Sequence, residues 1–214
     1  MRVVAVPVKS LSRAKTRLSP ALTGLERGAL TLAMLEDVLD AALAMSGWSA
    51  WVVSPDEAVL EVAARRGARA IPEEKPPLLH AIRQVEREAL DAGTDSLAVL
   101  LGDTPLVTAE ALTRALHTLG RVVVAPDRDG AGTNLLVRRP PRAIAARFGP
   151  ESYRKHLESA ETKGMPAAVV QLDELAFDLD APGDILTLLQ SRRAGRTRDV
   201  CLDMDVRSRI QVRT

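Results

Sequence analysis

Cysteine is almost missing from this chain: Cys201 is the single thiol in 214 residues. That excludes an internal disulfide framework and any cysteine-rich zinc site. Aromatic residues make up 2%, too few for the stacking platforms on which proteins hold single-stranded nucleic acid. Neither sign of charge is in excess. The 29 Lys and Arg face 28 Asp and Glu, a net charge of +1, so nothing biases the whole chain toward nucleic acid or a membrane surface. No apolar run is long enough to span a bilayer and no signal peptide is recognisable, so a reducing cytoplasm is the expected compartment. Internal repeats and low-complexity segments are lacking too. What is present is ordinary globular composition, 46% apolar and 27% charged. One domain with a sizeable core is expected.

The chain is organised around residues 97–108, Leu-Ala-Val-Leu-Leu-Gly-Asp-Thr-Pro-Leu-Val-Thr. Its first five residues are apolar without alternation, as in a central strand buried on both faces. Gly102 then lets the backbone turn, Asp103 follows, and Pro105 ends the strand. Ligands of open α/β sheets bind just beyond the carboxyl ends of strands. Asp103 therefore stands where a metal ligand would be placed; an aspartate capping its own turn is the other reading.

The remaining pattern alternates strands and helices. Strands are expected at 3–8, 50–54, 68–71, 122–125, 135–137 and 167–172. Helices are expected at 25–45, 57–66, 78–92, 108–119, 150–163 and from Pro182 to about 189. Through the fourth helix this reads β-α-β-α-β-α-β-α, a doubly wound sheet. After the first strand, Lys9, Arg13, Lys15 and Arg17 put four cations in nine residues. Such a loop suits a triphosphate, although the Walker spacing is absent and a solvated loop would look the same. Gly130 and Gly132 precede Thr133 and would permit close backbone approach to a ligand, or form a simple turn. Ser152 lies in the first turn of a helix, where free N–H groups favour an anion. In a strand, Asp178 and Asp180 would share a face, and two such charges favour a divalent cation between them. Asp184 reads as a helix-start residue. His80, His117 and His156 have no metal-ligand spacing and are expected at the surface or the edge of a substrate. Residues 191–214 are polar and arginine-rich; their Asp203 and Asp205 suggest an edge strand or a partner-contact arm rather than a second metal site.

Seven motifs in order carry a resemblance to a known family. They are Pro7-Val8-Lys9 with Ala14-Lys15-Thr16-Arg17-Leu18; Met34-Leu35-Glu36-Asp37-Val38; Gly102-Asp103-Thr104-Pro105-Leu106; and Asp127-Arg128 leading to Gly132-Thr133-Asn134-Leu135-Leu136. Phe148-Gly149-Pro150-Glu151-Ser152, then His156 with Ala160, and Asp178-Leu179-Asp180-Ala181-Pro182-Gly183-Asp184 complete the set. Over roughly residues 3–189 the chain resembles the guanylyltransferases of coenzyme F420 biosynthesis, the 2-phospho-L-lactate or phosphoenolpyruvate guanylyltransferase family. The resemblance implies a single-domain, Rossmann-like mixed sheet flanked by helices, with the fold of the molybdenum-cofactor guanylyltransferases. It would span 1–190, leaving 191–214 unassigned.

The implied reaction moves GMP from GTP onto the phosphate of a small phosphorylated carboxylic acid and releases pyrophosphate. Phosphoenolpyruvate is the favoured acceptor, then 2-phospho-L-lactate, with 3-phosphoglycerate a further candidate. By position, Asp103, Asp178 and Asp180 would be catalytic and hold two Mg²⁺ ions. Thr133, Gly149 and Ser152 would hold the acid, and Lys9, Lys15 and Arg17 the triphosphate. The transferase that takes the unstable product is a further expected partner; nucleic acid and membrane are not. Two departures stand out: Leu79-His80 where the family has Leu-Asn near the base, and Thr104 where it has leucine. Competing readings are a related nucleotidyltransferase with a molybdopterin or sugar phosphate acceptor, and a GTP-binding protein without activity. A nucleic-acid module resting on the basic stretch 192–198 is the most distant.

Overall fold

The computed structural model describes residues 1–191 and 193–211. Arg192 of the basic stretch and the last three residues of the tail lie outside them. The opening apolar run forms β1 (Arg2–Pro7), whose last five residues are buried. Thr23 then starts α1 (Gly24–Leu43): its hydroxyl accepts from the Glu26 amide while the Glu26 carboxylate accepts from the Thr23 amide. This reciprocal cap satisfies two donors that a helix start leaves free. The order continues with β2 (Trp48–Ser54), α2 (Glu57–Arg65), β3 (Arg69–Pro72), α3 (Leu78–Asp91), β4 (Ser96–Leu100) and α4 (Ala109–His117). Then come β5 (Val122–Pro126), β6 (Thr133–Arg138), α5 (Ser152–Thr162), β7 (Ala168–Val169), α6 (Asp173–Ala176) and α7 (Pro182–Gln190). Among the described residues no helix is long and apolar enough to cross a membrane.

The strands form one sheet in the order β3-β2-β1-β4-β6-β5-β7. β1 pairs in parallel with β2 and β4, and β2 with β3. β6 runs antiparallel between β4 and β5, because the short loop from β5 to β6 can only fold the chain back on itself. β7, parallel to β5, shrinks to two residues. The strand expected over 167–172 stops early because Asp173 and Glu174 open α6. One apolar cluster packs Val4, Val6, Leu35, Leu39, Ala98 and Leu112 on one side of the sheet. Two others, around Val85 with Leu97 and around Ile82 with Leu136, fill the other side.

The tail departs from expectation. It forms two helices, α8 (Arg196–Asp203) and α9 (Val206–Gln211), not an edge strand. The reason lies in α1. The buried Asp37 carboxylate accepts from the amides of Arg196 (2.8 Å) and Thr197 (2.9 Å) and from the Thr197 hydroxyl (2.6 Å), so it caps α8 from a distant helix. Arg196 pairs with Asp40 and Arg209 with Glu26, and Cys201 and Val206 are fully buried. Asp203 and Asp205 sit at the α8–α9 junction, exposed, and line no cleft with the other acids.

The chain steps outward from β1 to β2 and β3, then crosses to the other side of β1 to lay down β4. Between the carboxyl ends of β1 and β4 the connections therefore diverge and a crevice opens, the place where open α/β sheets bind ligands.

Candidate active site

A cleft of about 430 Å³ occupies that crevice. Lys9, Lys15, Arg17, Asp103, Thr133, Gly149, Ser152, Asp178 and Asp180 all line it. Side chains spread over some 170 residues of sequence are thus gathered at one mouth. Thr104, at the departure from the family pattern, is buried and donates to the Leu101 carbonyl, which closes the turn that presents Asp103.

Asp178 and Asp180 are not on a strand. They lie on an extended, unladdered segment before α7. Two contacts do what a neighbouring strand would have done. The Leu179 amide donates to the Asp103 carbonyl (3.0 Å), which fixes the segment against the end of β4. The Asp184 carboxylate accepts from the amides of Asp180 and Ala181 at 2.9 and 2.7 Å. Leu179 points into the core, fully buried, so the aspartates flanking it face the cleft. Asp184 is in turn held by Arg128 at 2.7 Å, whose guanidinium lies over the Phe177 ring.

The acids share a cation from the chain itself. Lys15 Nζ lies 2.7 Å from Asp103 and 2.7 Å from Asp180, with its side chain only 8% exposed. Burial pulls the ammonium toward neutrality, but Asp103 and Asp180 outweigh it and its affinity for the proton is raised. Arg17, exposed, reaches Asp180 at 3.7 Å. Burial, reinforced by the charges of Asp103 and Asp180, lifts the Asp178 carboxyl to about 6. Asp103 Oδ1 is buried without a partner. Among the described residues no three carboxylate, thiol or imidazole groups are drawn tightly enough to form a finished metal cage. An unpartnered buried oxygen, a carboxyl with raised proton affinity and an all-oxygen donor set nevertheless fit a hard divalent cation, with Lys15 now in the cationic position.

Near Thr133 the loop closes on itself. Asp127 accepts from the amides of Ala131 (2.9 Å) and Gly132 (2.6 Å). A Cβ on Gly132 would lie 2.3 Å from Asp127 Oδ2; this glycine makes room for the loop's own carboxylate rather than directly for a ligand. Gly149 has φ +121° with open space around it, a conformation only glycine adopts without strain. It delivers Ser152 to the first position of α5, where amides lack intrahelical partners. His80 does not line the cleft; Leu78 does. The His80 ring instead bonds the Pro76 carbonyl.

Of the two places expected for His156, the surface or the edge of a substrate, the surface is excluded. It is fully buried beneath Thr133, 3.0 Å from its hydroxyl, with Nε2 accepting from the Arg147 amide at 2.8 Å. Burial, with Arg138 and Arg147 nearby, lowers its pKa from 6.5 to about 4. A lowered histidine pKa means that the unfolded chain takes up a proton first. Stability is fully present above pH 6.5 and is lost as pH falls toward 4, by about 3 kcal/mol in total. Replacing His156 with phenylalanine should remove this histidine's share of the acid slope in denaturant titrations at stepped pH; an unchanged slope would contradict it. Asp127, His156 and Asp184 stand in the motifs, but nothing in their spacing gives the roles they take here: closing the loop before Thr133, supporting Thr133, and anchoring the backbone of Asp180. The i and i+4 spacing of Ser152 and His156 on one helix face was the available signal.

A parallel sheet with one reversed strand, and a cleft of carboxylates and cations at its switch point, defines the nucleotidyltransferase fold. A nucleotidyl transferase from Methanothermobacter shares that fold with a TM-score of 0.66, covering 87% of this chain and 95% of its own at 19% identity. The chain belongs to the family described as guanylyl transferase CofC like, whose model matches residues 1–208. That span takes in α8, beyond the limit of 189 expected from the motifs. The chain is 40% identical over 201 residues to a protein named phosphoenolpyruvate guanylyltransferase from Sphaerobacter thermophilus, covering 92% of this chain and 97% of that one. It is 36% identical to the 3-phospho-D-glycerate guanylyltransferase of Phenylobacterium zucineum, covering 92% and 94%. It is a guanylyltransferase.

Proposed function

We propose that this enzyme transfers GMP from GTP to the phosphate of phosphoenolpyruvate, releasing pyrophosphate, as a cytoplasmic step of coenzyme F420 biosynthesis. The observation that carries the reading is the cleft itself: four carboxylates, Asp103, Asp127, Asp178 and Asp180, four cations, Lys9, Arg13, Lys15 and Arg17, and an anion-suited helix start line one 430 Å³ space. Two relatives named for phosphoenolpyruvate, at 40% and 39% identity against 36% for the relative named for 3-phospho-D-glycerate, favour phosphoenolpyruvate as the acceptor.

In this reading Asp103, Asp178 and Asp180 hold two Mg²⁺ ions. Bound there, the metal supplies charge neutralisation and alignment of the phosphates. The chain's own residues do the rest. Lys9, Lys15 and Arg17 bind the triphosphate and offset charge growing on the leaving pyrophosphate. Thr133, the Gly149 backbone and Ser152 orient the acid so that its phosphate oxygen faces the α-phosphorus. A bond forms from that oxygen to the α-phosphorus and the bond to the β-phosphate oxygen breaks. The acceptor is already an anion, so no side chain has to act as nucleophile or general base.

Pyrophosphate release is the test, run with GTP, Mg²⁺ and each of phosphoenolpyruvate, 2-phospho-L-lactate and 3-phospho-D-glycerate. The unstable product is trapped with the deazaflavin Fo and its transferase. Release with phosphoenolpyruvate above the others is expected. Preference for 3-phospho-D-glycerate, the acid in the name of the Phenylobacterium relative, would replace the acceptor and keep the reaction. No release with any acid would sink the reading.

A further inference from the structure

His156 lies one turn after Ser152 on α5 and is fully buried. Its ring joins two separate segments that line the cleft. Nε2 accepts the Arg147 amide at 2.8 Å, beside Phe148 and Gly149, and Nδ1 lies 3.0 Å from Thr133 Oγ1. The Phe148 ring meets the imidazole edge-on, with centroids 5.2 Å apart.

A backbone amide can only donate. Nε2 must therefore carry a lone pair, and the single proton of the neutral ring sits on Nδ1. Nδ1 then donates to Thr133 Oγ1, and the hydroxyl oxygen is the acceptor in that bond. A hydroxyl has one hydrogen of its own. Among the described residues nothing else is bonded to Thr133 Oγ1, so this hydrogen has no protein acceptor. Thr133 lines the cleft, where an anionic ligand would supply one.

We propose that His156 is a positioning residue that commits the Thr133 hydroxyl to donate to the acid acceptor and locks the 147–149 segment at a fixed distance from it. The chain of direction runs from the Arg147 amide through the imidazole to the hydroxyl and on to the ligand. Without the imidazole donor, the threonine hydrogen is free to turn elsewhere, and part of the acid's binding is lost. The inference rests on the assignment of Thr133 to the acid, and the experiment separates the two.

The test is a set of variants assayed by pyrophosphate release, with phosphoenolpyruvate and GTP varied separately. Glutamine places its amide near the Nε2 position, so His156→Gln keeps an acceptor for Arg147 and removes the donor to Thr133. Asparagine places its amide near Nδ1, so His156→Asn keeps that donor and removes the acceptor. His156→Gln should raise the KM for phosphoenolpyruvate about tenfold, the scale of one hydrogen bond to a charged group, and leave the KM for GTP unchanged. His156→Asn should stay much nearer to wild type. Thr133→Val should raise the acid KM at least as far as His156→Gln, and adding His156→Gln to it should change nothing more.

Multiplying effects in the double variant, or equal rises in both KM values, would reduce His156 to a packing role and overturn the proposal. So would an unchanged acid KM in His156→Gln when Thr133→Val raises it. If His156→Gln does not fold, His156→Asn decides alone: an acid KM as high as that of Thr133→Val overturns the proposal. An unchanged acid KM in Thr133→Val removes the acid-site assignment itself, and the proposal with it.

Discussion

An Asp178→Asn enzyme is expected to lose GMP transfer by about a thousandfold or more while its metal-free form becomes more stable. The two effects have one origin. Burial and the neighbouring charges of Asp103 and Asp180 hold the Asp178 carboxyl up at about 6, so near neutral pH the fold keeps it ionised against its preference. A carboxyl raised in this way works against folding once pH exceeds its unfolded value, and the cost is complete above 6. Asparagine has the same shape and no charge. Because water reaches this side chain, the gain is discounted to about 1 kcal/mol, or a rise of about 2–4 °C in Tm for a chain of this size. Thermal unfolding in EDTA and pyrophosphate release in Mg²⁺ read the two halves separately. Turnover within tenfold of wild type, or a Tm that falls, would remove Asp178 from the reactive set. Stability lost at a carboxylate such as Asp178 is the expected signature of a residue kept for chemistry.

Much of this was legible from the chain alone, for reasons that particular elements make plain. β1 and β4 are apolar without alternation because both faces are covered, and burial of every residue of β4 bears this out. α1 shows its 3.6-residue period because one side packs on the sheet. Strand order is different in kind. Nothing in residues 133–138 says that this strand inserts between β4 and β5; the shortness of its loop fixes direction, and pairing partners are settled only in three dimensions. The tail's helices are hard to read from the chain because their few apolar residues, Cys201 and Val206 among them, form no clear stripe of their own. They are also held by caps and ion pairs to Asp37, Asp40 and Glu26, some 160 to 180 residues earlier. At the cleft, the residues with distinctive neighbours in sequence were readable: the Asp-x-Asp pair, the Gly-Asp turn and the basic loop. Those that hold them in place were not. Asp184 reads as a helix cap and is one, yet its carboxylate also anchors the backbone of Asp180. His156 reads as one histidine on a helix, and only the fold sets it under Thr133.

Lys15→Met should expose what the ammonium does before substrate arrives. Lys15 takes up a left-handed backbone conformation, φ +50°, at the turn between two short 3₁₀ segments. That turn drives its side chain inward to bridge Asp103 and Asp180. Removing one partner of a buried charge pair leaves the others uncompensated, at about 3–5 kcal/mol. Here three carboxylates would remain, and among the described residues the exposed Arg17 is the one other cation paired with any of them. The metal-free variant is therefore expected to melt about 10 °C lower than wild type. Mg²⁺ should restore more of that loss than it adds to wild type, because in the variant the ion meets carboxylates with no ammonium to displace, and ligand binding adds stability in proportion to occupancy. Transfer should still fall about a hundredfold at saturating Mg²⁺, since the triphosphate loses a fixed cation. Equal stability without metal would show that the pair is merely solvated. An equal Mg²⁺ increment in the two proteins would show that ammonium and metal occupy separate places. A larger increment in the variant makes Lys15 the occupant that keeps an acidic site folded until metal and nucleotide take over its charge.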